Sequence, residues 1–411
     1  MKKSNPIKFA SPDLSRKELK AIQNVLNSGW LTNGPVVREF EKRVASMSGS
    51  SRAVAYDSCT AAMEMTLRAL GIGPGDEVIT TPYTYSATAE VIRNTGAKIV
   101  FVDLAPNSFE MDYELVGKAI TEKTKAVIPV DIGGKLCDYY TLRYQVESKA
   151  ELFKPANEIQ AAMGRVAIVA DAAHSFGAEW NDFPSGVYAD FTCFSFHVLK
   201  CITTGGEGGA VVWNDIAGID NDRLETVLRL LGDHGQTSRD KSTGWEYDIA
   251  LFGYNHIMTN IDAAMGMAQL DRFEEIYDKR VEVTMRYDKL FSSLSCAEPM
   301  IQHFGSSHTS AMHLYPIKLN PPAYLLEREK GHEFWRNMIY RQLRKAGIPC
   351  NVHYKPLPMM TAYKKVGFDI ADYPNSYKQF CSLLTIPYHT GLTAEEQEYI
   401  VETIERLASD L

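Results

Sequence analysis

RAVAYDSCTAAMEMTLRALGIGPGDEVITT, residues 52–81, holds two short apolar runs on either side of one helical pattern. RAVAY (52–56) reads as a buried strand, TAAMEMTLRAL (60–70) as a helix with apolar residues at helical spacing, and DEVITT (76–81) as the next strand. The alternation continues through a helix from about Tyr85 to Asn94, then AKIVFVDL (97–104), KAVIPVDI (125–132), RVAIVADAA (165–173) and DFTCFSF (190–196). Strands that read as continuous apolar runs, alternate with helices and end in small polar turns predict an α/β fold with a mainly parallel sheet covered on both faces. Ligands bind such sheets at the carboxyl ends of the strands, so the residues just after each run matter most.

Outward from this core, residues 139–164 are polar and helix-compatible and make an unusually long crossover. A long amphipathic helix is expected over roughly 262–295. Beyond it HTSAMHLYPIKL (308–319) reads as a strand, GHEFWRNMIYRQLRKAG (331–347) as a helix closed by glycine, and PCNVHY (349–354) as another strand. The last helix, TAEEQEYIVETIERLASDL (393–411), opens on a capping box of Thr393 with Glu396. The expected division is a large domain with an N-terminal arm over 1–275 and a smaller α+β domain over 276–411.

The 411 residues carry 43 basic and 51 acidic side chains, a formal net charge of −8. That balance argues against a nucleic-acid surface or an anionic-membrane patch, though a local anion pocket remains open. The seven cysteines are scattered and form no CxxC pair. They read as reduced thiols, with no zinc site or other metal site and no disulfide framework. No stretch approaches the roughly 18 to 20 apolar residues of a membrane span, and MKKSNPIKFASPDL at the start lacks an apolar leader core. A cytoplasmic protein is expected.

FSFHVLKCITTGGEGGAVVW (194–213) sets Lys200 just past the strand at 190–196. TTGGEGG is neither GxxxxGK[ST] nor GxGxxG, and no helix follows it, so it reads as a tight turn rather than a phosphate loop. A single lysine is usually a solvated charge, but Asp171 ends the neighbouring strand and His174 follows three residues on. Buried carboxylates are rare unless paired, so an Asp171–Lys200 ion pair is one reading. In DSCTAAMEM (57–65), Ser58 or Thr60 is either a simple N-cap or part of an anion site at a helix N-terminus. In TPYTYSATA (81–89), Tyr83 and Tyr85 follow the next strand, as packing aromatics or as a ring platform. Together these strand ends offer an amine nucleophile, a carboxylate, an anion cradle and an aromatic face. Pyridoxal 5′-phosphate is the cofactor that uses all four.

The sequence resembles the DegT/DnrJ/EryC1/StrS family of sugar aminotransferases over roughly residues 5 to 405. The resemblance is carried by SGWLTNGPVVREFE (28–41), SCTAAMEMTLRALGIGPGDEVI (58–79), PYTYSATAEVIRNTGAKIVFVDL (82–104), ADAAHSFGA (170–178), FSFHVLKCITTGGEGGAVV (194–212), LRLLGDHG (228–235), GYNHIMTNIDAAMGMAQLDR (253–272) and IPYHTGLTAEEQEYI (386–400). It implies the fold-type-I architecture, with a seven-stranded sheet in a large cofactor-binding domain. By the same resemblance Lys200 is the Schiff-base lysine and proton shuttle, Asp171 faces the pyridine nitrogen, and His174 lies near the ring hydroxyl. Tyr85 stacks on the ring, while Thr60, the Ala61 backbone and Ser195 hold the phosphate. Asn255 reaches the phosphate of a neighbouring subunit, which implies a homodimer with a shared active site.

The resemblance further implies transfer of an amino group, with glutamate as donor, onto a keto group of a nucleotide-linked deoxy or amino sugar. The sugar nucleotide is placed near Trp30, Leu31, Thr32, His353, Tyr354 and His389. Departures from the family pattern include Cys201 where Asn is common, the doubled glycines 205–206, Ala170 before Asp171, and His256 and Ile257 in GYNHIMTN. Two alternatives stand beside this reading. Related sugar dehydratases replace the lysine with histidine, but Lys200 is present here. A regulatory or sensor protein on the same scaffold is the other, although no helix-turn-helix pattern occurs and Lys200 and Asp171 would be superfluous to it.

Overall fold

A computed structural model describes residues 6–238, 242–327 and 331–410, so the first five residues and Leu411 of the expected last helix lie outside it. Seven strands make the central sheet: β1 (Arg52–Tyr56), β2 (Glu77–Thr80), β3 (Lys98–Phe101), β4 (Thr124–Ile128), β5 (Ala167–Asp171), β8 (Phe191–Ser195) and β9 (Gly209–Trp213), in the order β1-β9-β8-β5-β4-β2-β3. β2, β3, β4, β5 and β8 pair in parallel, and only β9 runs against its neighbours β1 and β8. The mainly parallel sheet expected from the strand and helix alternation is therefore present, and β9 is its one reversal.

Side chains alternate to opposite faces along each strand, and here both faces are buried. In β5, Val169 joins a core built with Ala62, Met65 and Leu67 of α3 (Cys59–Ala69) and Leu228 of α8 (Asn221–Gly232). Ile168 and Ala170 join the opposite core, with Val37 and Phe40 of α2 (Pro35–Met47) and Ala263 of α9 (Asn260–Leu270). Between β2 and β3 stands α4 (Ser86–Thr95), and ahead of α2 stands α1 (Arg16–Ser28). The crossover holds two short helices, α6 (Tyr139–Glu147) and α7 (Glu158–Met163), after α5 (Tyr113–Ala119).

A second sheet, β10 (Ala297–Pro299), β12 (Tyr315–Leu319) and β13 (Leu383–Ile386), is antiparallel and forms its own core with helices Gly331–Lys345 and Ala394–Asp410. The short strands β6 (Glu179–Trp180), β7 (Phe183–Pro184) and β11 (His308–Thr309) make a third sheet. α10 (Phe273–Phe291) leads from the first layer system to the second, and the expected boundary at 275/276 falls in its first turn.

Three expectations about elements are corrected. The helix over 262–295 is two helices, broken at Asp271 and Arg272: Arg272 takes a non-helical φ of −117° and ψ of 11°, and its side chain bonds Asp13, Glu18 and Glu275. The run 308–319 is interrupted at Met312, whose φ of +51° is incompatible with an extended strand. PCNVHY makes a single bridge, Asn351 to Thr385, and is otherwise irregular.

Candidate active site

The site lies where the sheet's carboxyl ends meet the C-terminal layers. Asp171 ends β5 and is 5% exposed. Its Oδ2 accepts a 2.6 Å hydrogen bond from Thr88 Oγ1 of α4, and its Oδ1 one of 3.3 Å from the Ala173 N–H. Burial pushes the carboxyl up, and these donors together with the Lys200 charge pull it back. Lys200 follows β8 on a turn in which its N–H bonds His197 O. Burial pushes its amine below the usual lysine range, while the charge of Asp171 works the other way. Each of the two thus feels the other's charge.

His174 is buried, and its protonation is set by geometry. The Gly133 N–H donates to Nδ1 at 3.1 Å, so the ring proton sits on Nε2, which meets the Tyr354 hydroxyl at 3.3 Å. Burial, and secondarily Lys200, hold this histidine well below its ordinary pKa, so it is neutral at pH 7. Burial and Lys200 likewise lower His353 to about 4. Tyr354 and His353 therefore join Lys200, Asp171 and His174. Tyr85 immediately precedes α4, 64% exposed, with its ring 6.2 Å from that of Tyr354.

The anion cradle forms where β9 starts beside the head of α3. Ser58 caps α3 by accepting from the Ala61 N–H at 3.1 Å, so the backbone group expected to hold a phosphate is already engaged by the cap. Thr60 is partly buried in the first turn, and Ser195, at the end of β8, pairs with Gly209. A Cβ at Gly209 would stand 2.3 Å from Cys59 N, so only glycine lets β9 come this close to the helix terminus. Gly209 is thus a packing device, whereas Gly205 takes a φ of +125° and a Cβ at Gly206 would meet nothing within 4 Å. A buried carboxylate, a half-buried lysine, a neutral histidine and a helix N-terminus fit the pyridine nitrogen, aldehyde, ring hydroxyl and phosphate of pyridoxal 5′-phosphate.

The remaining expected residues lie apart from this cluster in their contacts. Trp30, Leu31 and Thr32 are held by Asn260, which donates to all three carbonyls. His389 is buried among Lys8, Glu396 and Arg280. Asn255 is exposed, beside His256, whose ring bonds Asp57 at 3.0 Å. Two residues were not foreseen. Thr88 stands one turn into a helix, in a stretch where the tyrosines draw attention. Phe9, whose ring lies 6.0 Å from that of His353, comes from an N-terminal segment with no periodicity to read.

The family model for the DegT/DnrJ/EryC1/StrS aminotransferase family matches residues 12–405, and the chain belongs to that family. It is 32% identical over 409 residues to the spore coat polysaccharide biosynthesis protein SpsC of Bacillus subtilis, covering 98% of this chain and 97% of that one. It is 31% identical over 371 residues, 90% of each chain, to the UDP-2-acetamido-2-deoxy-3-oxo-D-glucuronate aminotransferase of Pseudomonas aeruginosa. Among solved structures, the PLP form of Spr1654 from Streptococcus pneumoniae, named as a sugar aminotransferase, superposes with a TM-score of 0.92 at 41% identity, over 99% of both chains. The fold-type-I scaffold, the aminotransferase activity and the pyridoxal phosphate cofactor expected from the sequence all stand.

Proposed function

We propose that this aminotransferase moves an amino group from glutamate onto a keto group of a nucleotide-linked deoxy or amino sugar. The observation that carries the reading is the buried Asp171, held by Thr88 and electrostatically opposed to Lys200. The substrate class is supported by the relatives, whose names specify a UDP-linked oxo sugar or polysaccharide synthesis. When bound, the cofactor supplies an aldehyde for an amine and a ring that accepts electrons. Asp171 keeps the ring nitrogen protonated. Lys200, its amine lowered by burial, accepts and returns the proton on the substrate carbon as base and acid. His174, its Nε2 facing the Tyr354 hydroxyl, stands beside the ring hydroxyl, and Thr60, Ala61 and Ser195 line the phosphate end. Tyr85 covers the ring face.

For the sugar nucleotide, His353 and Tyr354 have the best support, since both lie within the electrostatic reach of the Lys200–Asp171 pair. Trp30, Leu31, Thr32 and His389 belong to the same proposal through the resemblance alone. The active form is a homodimer, with Asn255 reaching the second copy's phosphate end. Exposed Trp245, Tyr247, Ile249 and Phe252, the last 97% exposed, support a covered face beside Asn255. A cytoplasmic location accords with seven free cysteines, and among the described residues no helix is long and apolar enough to cross a membrane. The test is incubation with glutamate and a panel of nucleotide-linked keto sugars, following 2-oxoglutarate. Release of 2-oxoglutarate with none of the panel aminated overturns the sugar assignment, and no release overturns the donor.

A further inference from the structure

Arg280, in the middle of α10, is 7% exposed. Its guanidinium reaches two main-chain carbonyls rather than a carboxylate: Nη1 donates to Met312 O at 3.1 Å and Nη2 to Lys200 O at 3.3 Å. The Tyr388 ring lies 5.9 Å from its central carbon, and Nε is buried without a hydrogen-bond partner. Burying a cation without a carboxylate is expensive, and an apolar side chain of similar volume fills such a space at lower cost. Packing alone therefore does not account for an arginine here. A fork that holds two carbonyls at once does, and a lysine ammonium or a methionine has no such geometry.

The two carbonyls belong to segments that meet around the site. The Cys201 thiol bonds Ala311 O at 3.3 Å. The Ala311 N–H donates to Gly134 O at 2.9 Å and the His313 N–H to Gly133 O at 3.2 Å, while the Gly133 N–H holds His174. A Cβ at Gly134 would stand 2.9 Å from His174 O and 3.1 Å from Met312 N, so these backbones touch without slack. Met312, at φ +51°, holds a conformation uncommon outside glycine, and its carbonyl is one of the two that Arg280 grips.

We propose that Arg280 is a positioning residue for Lys200. By clamping the carbonyls of Lys200 and Met312 it fixes the root of the lysine side chain against the segment that sets His174, so the amine meets the cofactor and the substrate proton from one direction. This rests on the reading of Lys200 as the amine that bonds the cofactor.

The experiment compares wild type, Arg280→Met, Arg280→Lys and Lys200→Ala as full chains stripped of cofactor and then titrated with pyridoxal 5′-phosphate. Uptake is followed by visible absorbance, hydrogen exchange by mass spectrometry, and kcat and KM after reloading. Arg280→Met is expected to melt within a few degrees of wild type. It should bind the cofactor about tenfold more weakly, the worth of a charged hydrogen bond, and exchange faster at 200–204 and 311–313. Its kcat should fall about tenfold with KM little changed, and Arg280→Lys should recover part of each loss. Wild-type uptake and exchange in Arg280→Met overturn the proposal, as do losses that merely track a lowered melting temperature. If Arg280→Met does not fold, Arg280→Lys carries the same comparison, and wild-type behaviour there overturns it. A visible band that survives in Lys200→Ala instead overturns the reading of Lys200 itself.

Discussion

Thr88 Oγ1 lies 2.6 Å from Asp171 Oδ2, joining the first turn of α4 to the end of β5. This hydroxyl is one of the donors that hold the buried carboxyl down against the upward push of burial. Thr88→Val removes the donor, so the carboxyl rises further and is less ionised at a given pH. The kcat at pH 7 should fall about tenfold, consistent with the loss of one charge-assisted bond. Raising the pH favours the ionised acid again, so the deficit should shrink as the pH rises. Thr88→Ser keeps the hydroxyl and most of the rate. The pH profiles of the three proteins check this.

Lys200→Ala should abolish the visible absorbance of the lysine-bound cofactor and lower kcat by at least about 10³-fold, the scale of a lost nucleophile and proton carrier. Lys200→Arg should be equally inactive, because a guanidinium stays protonated above pH 12 or so. Absorbance spectra and single-turnover rates measure both.

Tyr354→Phe leaves the His174 Nε2–H without its 3.3 Å partner in a buried pocket. An unsatisfied buried donor costs about 1–3 kcal/mol. The variant should lose stability in that range in a denaturant titration. In the assay it should show reduced kcat, since His174 is then held by the Gly133 N–H alone.

Glu18, 3% exposed, binds Ser15, Gln269 and Arg272 and docks α1 onto α9 and α10. Burial alone would raise its carboxyl, but these donors win and bring it from 4.5 to about 2. Because the folded value is the lower one, the stabilisation is complete above pH 4.5. It is lost as the pH falls toward 2, and amounts to about 3 kcal/mol. Denaturant midpoints measured from pH 7 to 3 should fall in wild type and fall less in Glu18→Gln, which starts lower at pH 7.

Gly209→Ala would drive a Cβ into the Ser58–Cys59 backbone, 2.3 Å away, where no flexible side chain can yield. A cost of about 2–4 kcal/mol follows from overpacking. The variant should also weaken cofactor uptake, because the displaced backbone is the head of α3. Equilibrium titration with pyridoxal 5′-phosphate separates the second effect from the first.

The sheet, its mainly parallel sense and the pair Lys200 and Asp171 were legible because they depend on local runs and on the rule that parallel sheets work at their carboxyl ends. Ser58 was legible as a cap for the same local reason. What was hidden depends on contacts remote in sequence. At the helix break, the Arg272 side chain is held by Asp13 and Glu18, more than 250 positions away along the chain. The irregular path of 349–354 follows from its side chains: Tyr354 turns to His174 and the His353 ring to Thr385. The hydrophobic pattern of PCNVHY says nothing of this. Thr88 shows the same limit: only the position of Asp171 tells which hydroxyl of TPYTYSATA matters.

β1 lies at the edge of the sheet and pairs with β9, Tyr56 opposite Gly209. On a ribosome the chain emerges from its N-terminus, so β1 and the helices packed on it are made long before their partner strand exists. α2 and α3 must wait with apolar faces uncovered until residue 213 has cleared the exit tunnel, and such long-range pairing is slow and open to aggregation. A nascent chain arrested before that point should engage chaperones, and one arrested well beyond it should not. The reversed strand that brings Gly209 against the head of α3 thus also decides when in synthesis the sheet can close.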